Sequence, residues 1–98
     1  MTTKENIIAQ LHSIRSTLSE YGVQHIGLFG SYVRGEQSPD SDIDLLIDFE
    51  PGKEKFDNLM AVYDLFENLF RNEKVEVVTR NGLSPHIGPK VLEEVMYV

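Results

Sequence analysis

The segment from residue 30 to residue 44, GSYVRGEQSPDSDID, constrains this chain more than any other. It begins with a Gly-Ser pair that directly follows an apolar run, and ten residues (32–41) separate that pair from Asp42. Asp42 and Asp44 then open a second apolar run. Glycine lets a backbone approach a ligand closely, and amides at the start of a helical turn favour anions. The segment therefore predicts a phosphate-binding turn at Gly30–Ser31 beside a pair of carboxylates.

Apolar patterns on both sides of this segment predict helices that alternate with strands. Thr2 and Glu5 have the spacing of a capping box, and apolar residues at helical spacing follow as far as a helix stop at Gly22. The predicted elements are a helix over 2–21, a strand over 23–29, a helical turn over 31–34, a strand over 42–49, a helix over 54–71, a strand over 74–79 and a final helix that starts at Pro89 and includes Met96. This order favours an α/β (α+β) fold in which helices cover a small β-sheet.

The predicted strand over 42–49 separates its side chains into two faces, because side chains alternate along a strand. One face is apolar and is expected to join the core: Ile43, Leu45, Ile47 and Phe49. The other face is mostly acidic: Asp42, Asp44, Leu46 and Asp48. The alternation thus places Asp42 and Asp44 side by side, pointing away from the main core.

Two further apolar groups need a place in the fold. The helix over 54–71 carries an aromatic stripe that is expected in the core: Phe56, Tyr63, Phe66 and Phe70. Part of this stripe, together with the tail Met96–Tyr97–Val98, is a candidate oligomer or partner surface, since small domains tend to cover surplus apolar area in that way.

The carboxylates of this chain suit a hard cation. Magnesium takes oxygen ligands and leaves coordination positions for water and substrate phosphates. Glu76 is the best third ligand beside Asp42 and Asp44, because it lies in a strand opposite Val75 and Val77, in a stretch that reads as buried. A charge in such a place is costly unless it has a partner, which favours a metal role for Glu76.

The side chains around the Gly-Ser pair offer donors to a phosphate. The Ser31 hydroxyl adds a donor to the backbone amides of the turn. Arg34 either reaches a phosphate or pairs with Glu36 or Asp40 on the surface, and the sequence leaves both readings open.

Composition limits the remaining classes of function. The 98 residues fit one domain over 1–98, and the absence of cysteine excludes disulfides, thiolate metal sites and cysteine nucleophiles. A net charge of −7 argues against direct, sequence-independent binding to nucleic acid. No apolar run suits a signal peptide or a membrane span, so a cytoplasmic protein without membrane contact is expected.

The Gly-Ser pair followed by Asp-x-Asp resembles the signature of the polymerase-β-like nucleotidyltransferase superfamily. More closely, the stretches GSYVRGEQSPDSDIDLLIDF, KVEVVT and VLEEVMYV resemble the minimal nucleotidyltransferases (MNT proteins) of prokaryotic toxin–antitoxin pairs. The resemblance implies the fold of that superfamily, with a small mixed β-sheet covered by helices. It also implies that Gly30 and Ser31 grip a nucleotide triphosphate, and that two magnesium ions have three carboxylate ligands: Asp42, Asp44 and Glu76. The family often has aspartate at the third position, where Glu76 is one methylene longer.

The same resemblance implies a partner. MNT antitoxins pair with a HEPN-domain protein, typically a ribonuclease toxin, and are thought to block it by transferring AMP from ATP to one of its tyrosines. The implied state is a hetero-oligomer with the toxin. Two alternatives stay open: an antitoxin that neutralises the toxin by binding alone, and a nucleotidyltransferase that acts on a small molecule.

Overall fold

A four-stranded mixed sheet organises residues 2–98, the part of the chain that the computed structural model describes. The strands are β1 (Val23–Phe29), β2 (Ile43–Phe49), β3 (Val75–Thr79) and β4 (Met96–Tyr97). Their order across the sheet is β3-β2-β1-β4. Strand β1 is antiparallel to both β2 and β4, whereas β2 and β3 are parallel. The predicted small mixed sheet covered by helices is confirmed.

In the described part of the chain, five helices and one 3₁₀ turn connect and cover these strands. The helices are α1 (Lys4–Ser13), α2 (Arg15–Glu20), α3 (Ser31–Arg34), α4 (Phe56–Leu69) and α5 (Gly88–Glu94), and the 3₁₀ turn is Arg80–Gly82. Over residues 2–98, none of these helices has the length and apolar character needed to cross a membrane.

The N-terminal helix differs from the prediction at its start and at its middle. Its N-cap is Thr3, whose Oγ1 accepts the Asn6 N–H at 3.1 Å, so the predicted capping box at Thr2 is wrong. The predicted single helix is also wrong, because the chain bends at Ile14 between α1 and α2. The Ser13 hydroxyl donates to the Gln10 carbonyl there, and such side-chain bonds compete with the helical ladder and bend helices.

The apolar face of β2 forms the centre of the core, as predicted. Its four side chains are buried together with those of α1, α2 and α4: Ile43, Leu45, Ile47 and Phe49 pack with Ile7, Leu11, Leu18, Val62 and Phe66. Leu46, on the opposite face, is also fully buried although it lies outside that cluster. A Cβ on Gly27 would lie 2.5 Å from the Val95 side chain, so the chain at the end of α5 passes close over this second face.

The aromatic stripe of α4 is only partly in the core. Phe66 and Phe70 are buried, as predicted, and Tyr63 is half-buried. Phe56 is 75% exposed, so its prediction as a core residue is wrong. The helix begins at Phe56 and not at residue 54, which leaves this side chain on the first turn, beyond the edge of the core.

The C-terminal segment also departs from the prediction. Helix α5 ends at Glu94, and Met96–Tyr97 forms the edge strand β4 and does not continue the helix. Leu28 pairs with Met96 and Gly27 pairs with Tyr97, while the Val98 N–H donates to the Ile26 carbonyl. The free edge of β1 thus offers hydrogen bonds that draw the last residues out of the helix.

Candidate active site

Gly30 links the end of β1 to α3 in a conformation that only glycine adopts without strain. Its φ is +83° and its ψ is −154°, a region of the backbone map closed to residues with a Cβ. A Cβ on Gly30 would lie 2.1 Å from Oδ2 of Asp44. The predicted phosphate turn and the predicted metal-binding strand therefore meet at direct contact.

The pairing of the strands brings Asp44 next to Glu76. Asp44 is opposite Phe29 of β1 on one side and opposite Glu76 of β3 on the other. Glu76 itself is exposed, so the prediction that it lies in a buried stretch is wrong. Strand β3 is at one edge of the sheet, so it has a neighbouring strand on one side only.

The neighbouring carboxylates affect the pKa of Asp44. The pKa of the Asp44 carboxyl is raised from 3.8 to about 6. Burial is the largest cause, followed by the nearby charges of Glu76 and Asp42 and by a hydrogen bond to Glu76. The Arg34 guanidinium acts in the opposite direction. Several carboxylates thus lie near one another, and a bound cation would offset their mutual repulsion.

A divalent metal fits this donor set only with help from a ligand. Over residues 2–98, no three His, Asp or Glu side chains converge closely enough to hold a metal ion by themselves. The carboxylates of Glu76 and Asp42 nevertheless lie near enough to Asp44 for their charges to raise its pKa. Magnesium is commonly bound by one or two carboxylates plus substrate phosphates and water, so these residues suit an ion that arrives with a nucleotide.

Arg34 is held between two carboxylates. Its Nε donates to Glu36 at 2.8 Å, the surface pairing that the sequence offered as one of its alternatives. Its Nη1 donates to both oxygens of Glu94 at 3.1 Å. Oε1 of Glu94 also accepts the Gly30 N–H at 2.9 Å. Glu94 lies 64 residues from Gly30 in the chain, and no local sequence pattern predicts it as a site residue.

These groups line one wall of an open cleft of about 240 Å³ between the sheet and α5. Its polar lining is Gly30, Arg34, Asp44, Glu76, Lys90 and Glu94, and its apolar lining is Phe29, Val78, Leu83, Ile87 and Val91. Ser31 and Asp42 are half-buried and do not line it. Lys90 and Glu94 have helical i, i+4 spacing, which places them on one face of α5. The spacing does not indicate which part of the protein that face contacts.

Comparison with known proteins decides the family. The sequence profile described as "Nucleotidyltransferase domain" matches residues 8–98. The chain belongs to this family of nucleotidyltransferases. The predicted nucleotidyltransferase activity is thereby confirmed.

This nucleotidyltransferase is similar to proteins that are named protein adenylyltransferases. It is 42% identical to "Protein adenylyltransferase MntA" of Thermococcus cleftensis, over 100% of the chain and 98% of that protein. It is 38% identical to a candidate protein adenylyltransferase of Methanocaldococcus jannaschii, over 83% of the chain and 85% of that protein.

Solved structures agree on the fold of the nucleotidyltransferase. A protein described as a minimal nucleotidyltransferase superposes with a TM-score of 0.81 at 30% identity, over 97% of this chain and 95% of that one. A toxin–antitoxin structure with AMP-PNP superposes with a TM-score of 0.58 at 21% identity, over 88% of this chain and 69% of that one, which is a likeness of fold alone.

Proposed function

We propose that this nucleotidyltransferase is a protein adenylyltransferase that transfers AMP from ATP to a tyrosine hydroxyl of a HEPN-domain ribonuclease toxin. In this proposal it is an antitoxin, acts in the cytoplasm as one domain over 1–98, and forms a hetero-oligomer with the toxin. Support comes from the similarity to the Thermococcus protein adenylyltransferase over the whole chain. The proposal extends that activity to this chain, together with a toxin partner of the kind implied by its resemblance to MNT antitoxins.

The observation that carries the proposal is the contact between Gly30 and Asp44. Transfer of a nucleotidyl group needs phosphates and metal ligands within a few ångströms of each other, because catalysis here is mostly positioning and charge neutralisation. Gly30 Cα lies against the Asp44 carboxylate, and Glu76 is the residue opposite Asp44 in β3. A purely structural turn has no need of this concentration of negative charge.

Each residue of the site then has a role. The Gly30–Ser31 turn and the Arg34 guanidinium would hold the triphosphate, and Asp42, Asp44 and Glu76 would be the ligands for two magnesium ions. When bound, magnesium would neutralise charge on the phosphates and lower the pKa of the attacking hydroxyl.

The transfer itself is an in-line displacement. The tyrosine oxygen attacks the α-phosphorus, the bond from that phosphorus to the bridging oxygen breaks, and pyrophosphate leaves. One of the three carboxylates of the site accepts the tyrosine proton. Ser31 and Arg34 donate to the departing oxygens, where negative charge accumulates.

The test is intact mass spectrometry of the HEPN protein encoded beside this one, after incubation with Mg-ATP and the nucleotidyltransferase. The wild type is expected to add whole AMP units, and Asp44→Asn is expected to add none. Asp48→Asn is the matched control, because Asp48 lies on the same face of β2 but pairs with His25 away from the cleft. A wild type that adds no AMP would overturn the enzymatic proposal.

One observation favours a second candidate, an antitoxin that works by binding alone. Over residues 2–98 no three carboxylates converge on a metal position, and Glu94 occupies the Gly30 N–H and one nitrogen of Arg34. A relic site would tolerate such features. A tight complex that forms equally with the wild type and Asp44→Asn, without any mass gain, would establish this candidate.

A further inference from the structure

Glu94 connects the end of α5 to the segment Gly30–Arg34, which lies 60 or more residues earlier in the chain. Its carboxylate, on the last residue of α5, accepts the backbone N–H of Gly30 and the Nη1 of Arg34. We propose that Glu94 is a positioning residue, whose carboxylate fixes the Gly30 peptide and the Arg34 guanidinium in the orientation that binds the triphosphate of the nucleotide. This inference rests on the nucleotide site of the proposed function.

The hydrogen bond from the Gly30 N–H to Glu94 restrains the rotation of the Gly30 peptide. Glycine has the widest choice of backbone conformations, and Gly30 occupies one that leaves its Cα against Asp44. The Glu94 carboxylate accepts the Gly30 N–H at 2.9 Å, a charge-assisted hydrogen bond of ordinary length. A rotation of this peptide would break that bond and carry the turn away from Asp44.

The second contact orients the arginine. A long side chain loses rotamer entropy when a ligand fixes it. The two carboxylates already fix Arg34 in the free protein, so nucleotide binding would lose less of this entropy. Nε and Nη1 are both engaged, and among residues 2–98 no acceptor engages Nη2. The remaining edge of the guanidinium is therefore available to a phosphate, and the planar fork suits that ligand.

Of the two carboxylates that hold Arg34, that of Glu94 is better shielded from solvent, although the Glu36 contact is shorter. The Glu94 side chain is 18% exposed, whereas that of Glu36 is 64% exposed. Ion pairs open to solvent contribute little, because water and salt screen them, whereas sheltered pairs are screened much less. Glu36 lies outside any helix or strand, whereas Glu94 is the last residue of α5, and the strand β4 that follows it pairs with β1.

A competing reading makes the opposite prediction. The Glu94 carboxylate could instead occupy the position of a phosphate, since it accepts from a backbone N–H and an arginine as a phosphate would. The nucleotide would then have to displace it. Removal of Glu94 would then strengthen ATP binding. Under the positioning role, removal weakens it, so the sign of one affinity change separates the two.

The test compares Glu94→Ala with Glu93→Ala, its exposed neighbour on α5 that lines no part of the cleft. Titration calorimetry with Mg-ATP, without toxin, is expected to show a Kd raised about tenfold for Glu94→Ala, since a hydrogen bond to a charged group contributes about that factor. Glu93→Ala should match the wild type. With toxin, KM for ATP should rise by the same factor while kcat changes less than about threefold. Unchanged or tighter ATP binding by a folded Glu94→Ala overturns the proposal.

Two further variants protect this test. Glu94→Gln keeps an acceptor for the Gly30 N–H but loses the charge that holds Arg34, so its Kd should lie between those of the wild type and Glu94→Ala. If Glu94→Ala does not fold, Glu94→Gln against Glu93→Gln decides, and equal or tighter binding by Glu94→Gln overturns the proposal. In an Arg34→Ala background the effect of Glu94→Gln should shrink, because that charge acts through Arg34. Since ATP binding is measured without toxin, a failure of AMP transfer would overturn the proposed function and leave this comparison standing.

Discussion

The Asp44 carboxylate lies against the α-carbon of Gly30, so closely that no side chain fits between them. The two residues are 14 positions apart, and antiparallel pairing of Phe29 with Asp44 brings them together. The end of β1 therefore delivers a phosphate turn to the carboxylates at the start of β2. This contact makes glycine a requirement of the site as well as of the backbone.

Gly30→Ala is expected to lose AMP transfer by at least about 100-fold, because misplacement of reacting groups by about an ångström has that effect. The added methyl would displace the Asp44 carboxylate, and the positive φ would cost about 1–3 kcal/mol in unfolding free energy. Mass spectrometry of the toxin and thermal unfolding measure the two effects.

Gly35→Ala is the matched control for that variant. Gly35 also has a positive φ, +74°, but a Cβ there meets nothing within 4 Å. The free energy of unfolding of Gly35→Ala should fall by about 1–2 kcal/mol because of backbone strain alone, and AMP transfer should be retained. Equal loss of activity in both variants would mean that backbone strain, and not contact with Asp44, is responsible.

The raised pKa of Asp44 predicts a pH-dependent stability of the metal-free protein. Its folded-state pKa of about 6 exceeds the value of 3.8 in a free chain, so between these values the folded state binds more protons than the unfolded state. The contribution of Asp44 to the free energy of unfolding is therefore fully present below pH 3.8 and is lost as pH rises through about 6.

Asp44→Asn should consequently become more stable than the wild type as pH rises. Urea unfolding in EDTA near pH 4 and near pH 7 measures the difference, which should be larger at the higher pH. Asp40→Asn removes an exposed loop carboxylate and corrects for the change in net charge. A difference between Asp44→Asn and wild type that stays constant across this range would contradict the raised pKa.

Local patterns predicted the elements of the site but not how one of its residues reaches it. Strand alternation placed Leu45 and Ile47 inside, and the spacing from Gly30 to Asp44 indicated that turn and strand belong together. Glu94 carries no such signal, because its contacts depend on how α5 crosses the sheet. Long-range packing of that kind is set by the whole fold and not by periodicity.

The errors at the two ends of the chain have a similar origin. Helical spacing continues through Ile14, yet a side-chain hydrogen bond from Ser13 interrupts the ladder there. Helical spacing also extends to Met96, yet the open edge of β1 offers backbone partners that a helix cannot. In both places a competing hydrogen bond outweighs an apolar pattern, and only the three-dimensional structure reveals the competitor.

Thr3→Ala is expected to lower the free energy of unfolding by about 1 kcal/mol, because it removes the acceptor of the Asn6 N–H at the start of α1. Thr2→Ala is the control, because it would lower the free energy of unfolding more than Thr3→Ala only if Thr2 were the N-cap. Urea unfolding of both variants measures the difference. An effect confined to Thr2→Ala would restore the capping box that the sequence pattern predicts and contradict the N-cap seen in the structure.

Leu45→Ala and Phe56→Ala distinguish the real core from the apolar pattern. Leu45 is fully buried at the centre of β2, so its truncation should cost about 2–5 kcal/mol through lost contacts and the remaining cavity. Phe56 is the larger side chain, but it is 75% exposed, and its truncation should change the free energy of unfolding by less than about 0.5 kcal/mol. A costly Phe56→Ala in the isolated protein would mean that this side chain packs in solution against a surface of the same chain or of a second copy. If it is costly only in the toxin complex, α4 contributes to the interface with the partner, and the exposed end of that helix has a binding role that its periodicity alone could not distinguish from burial.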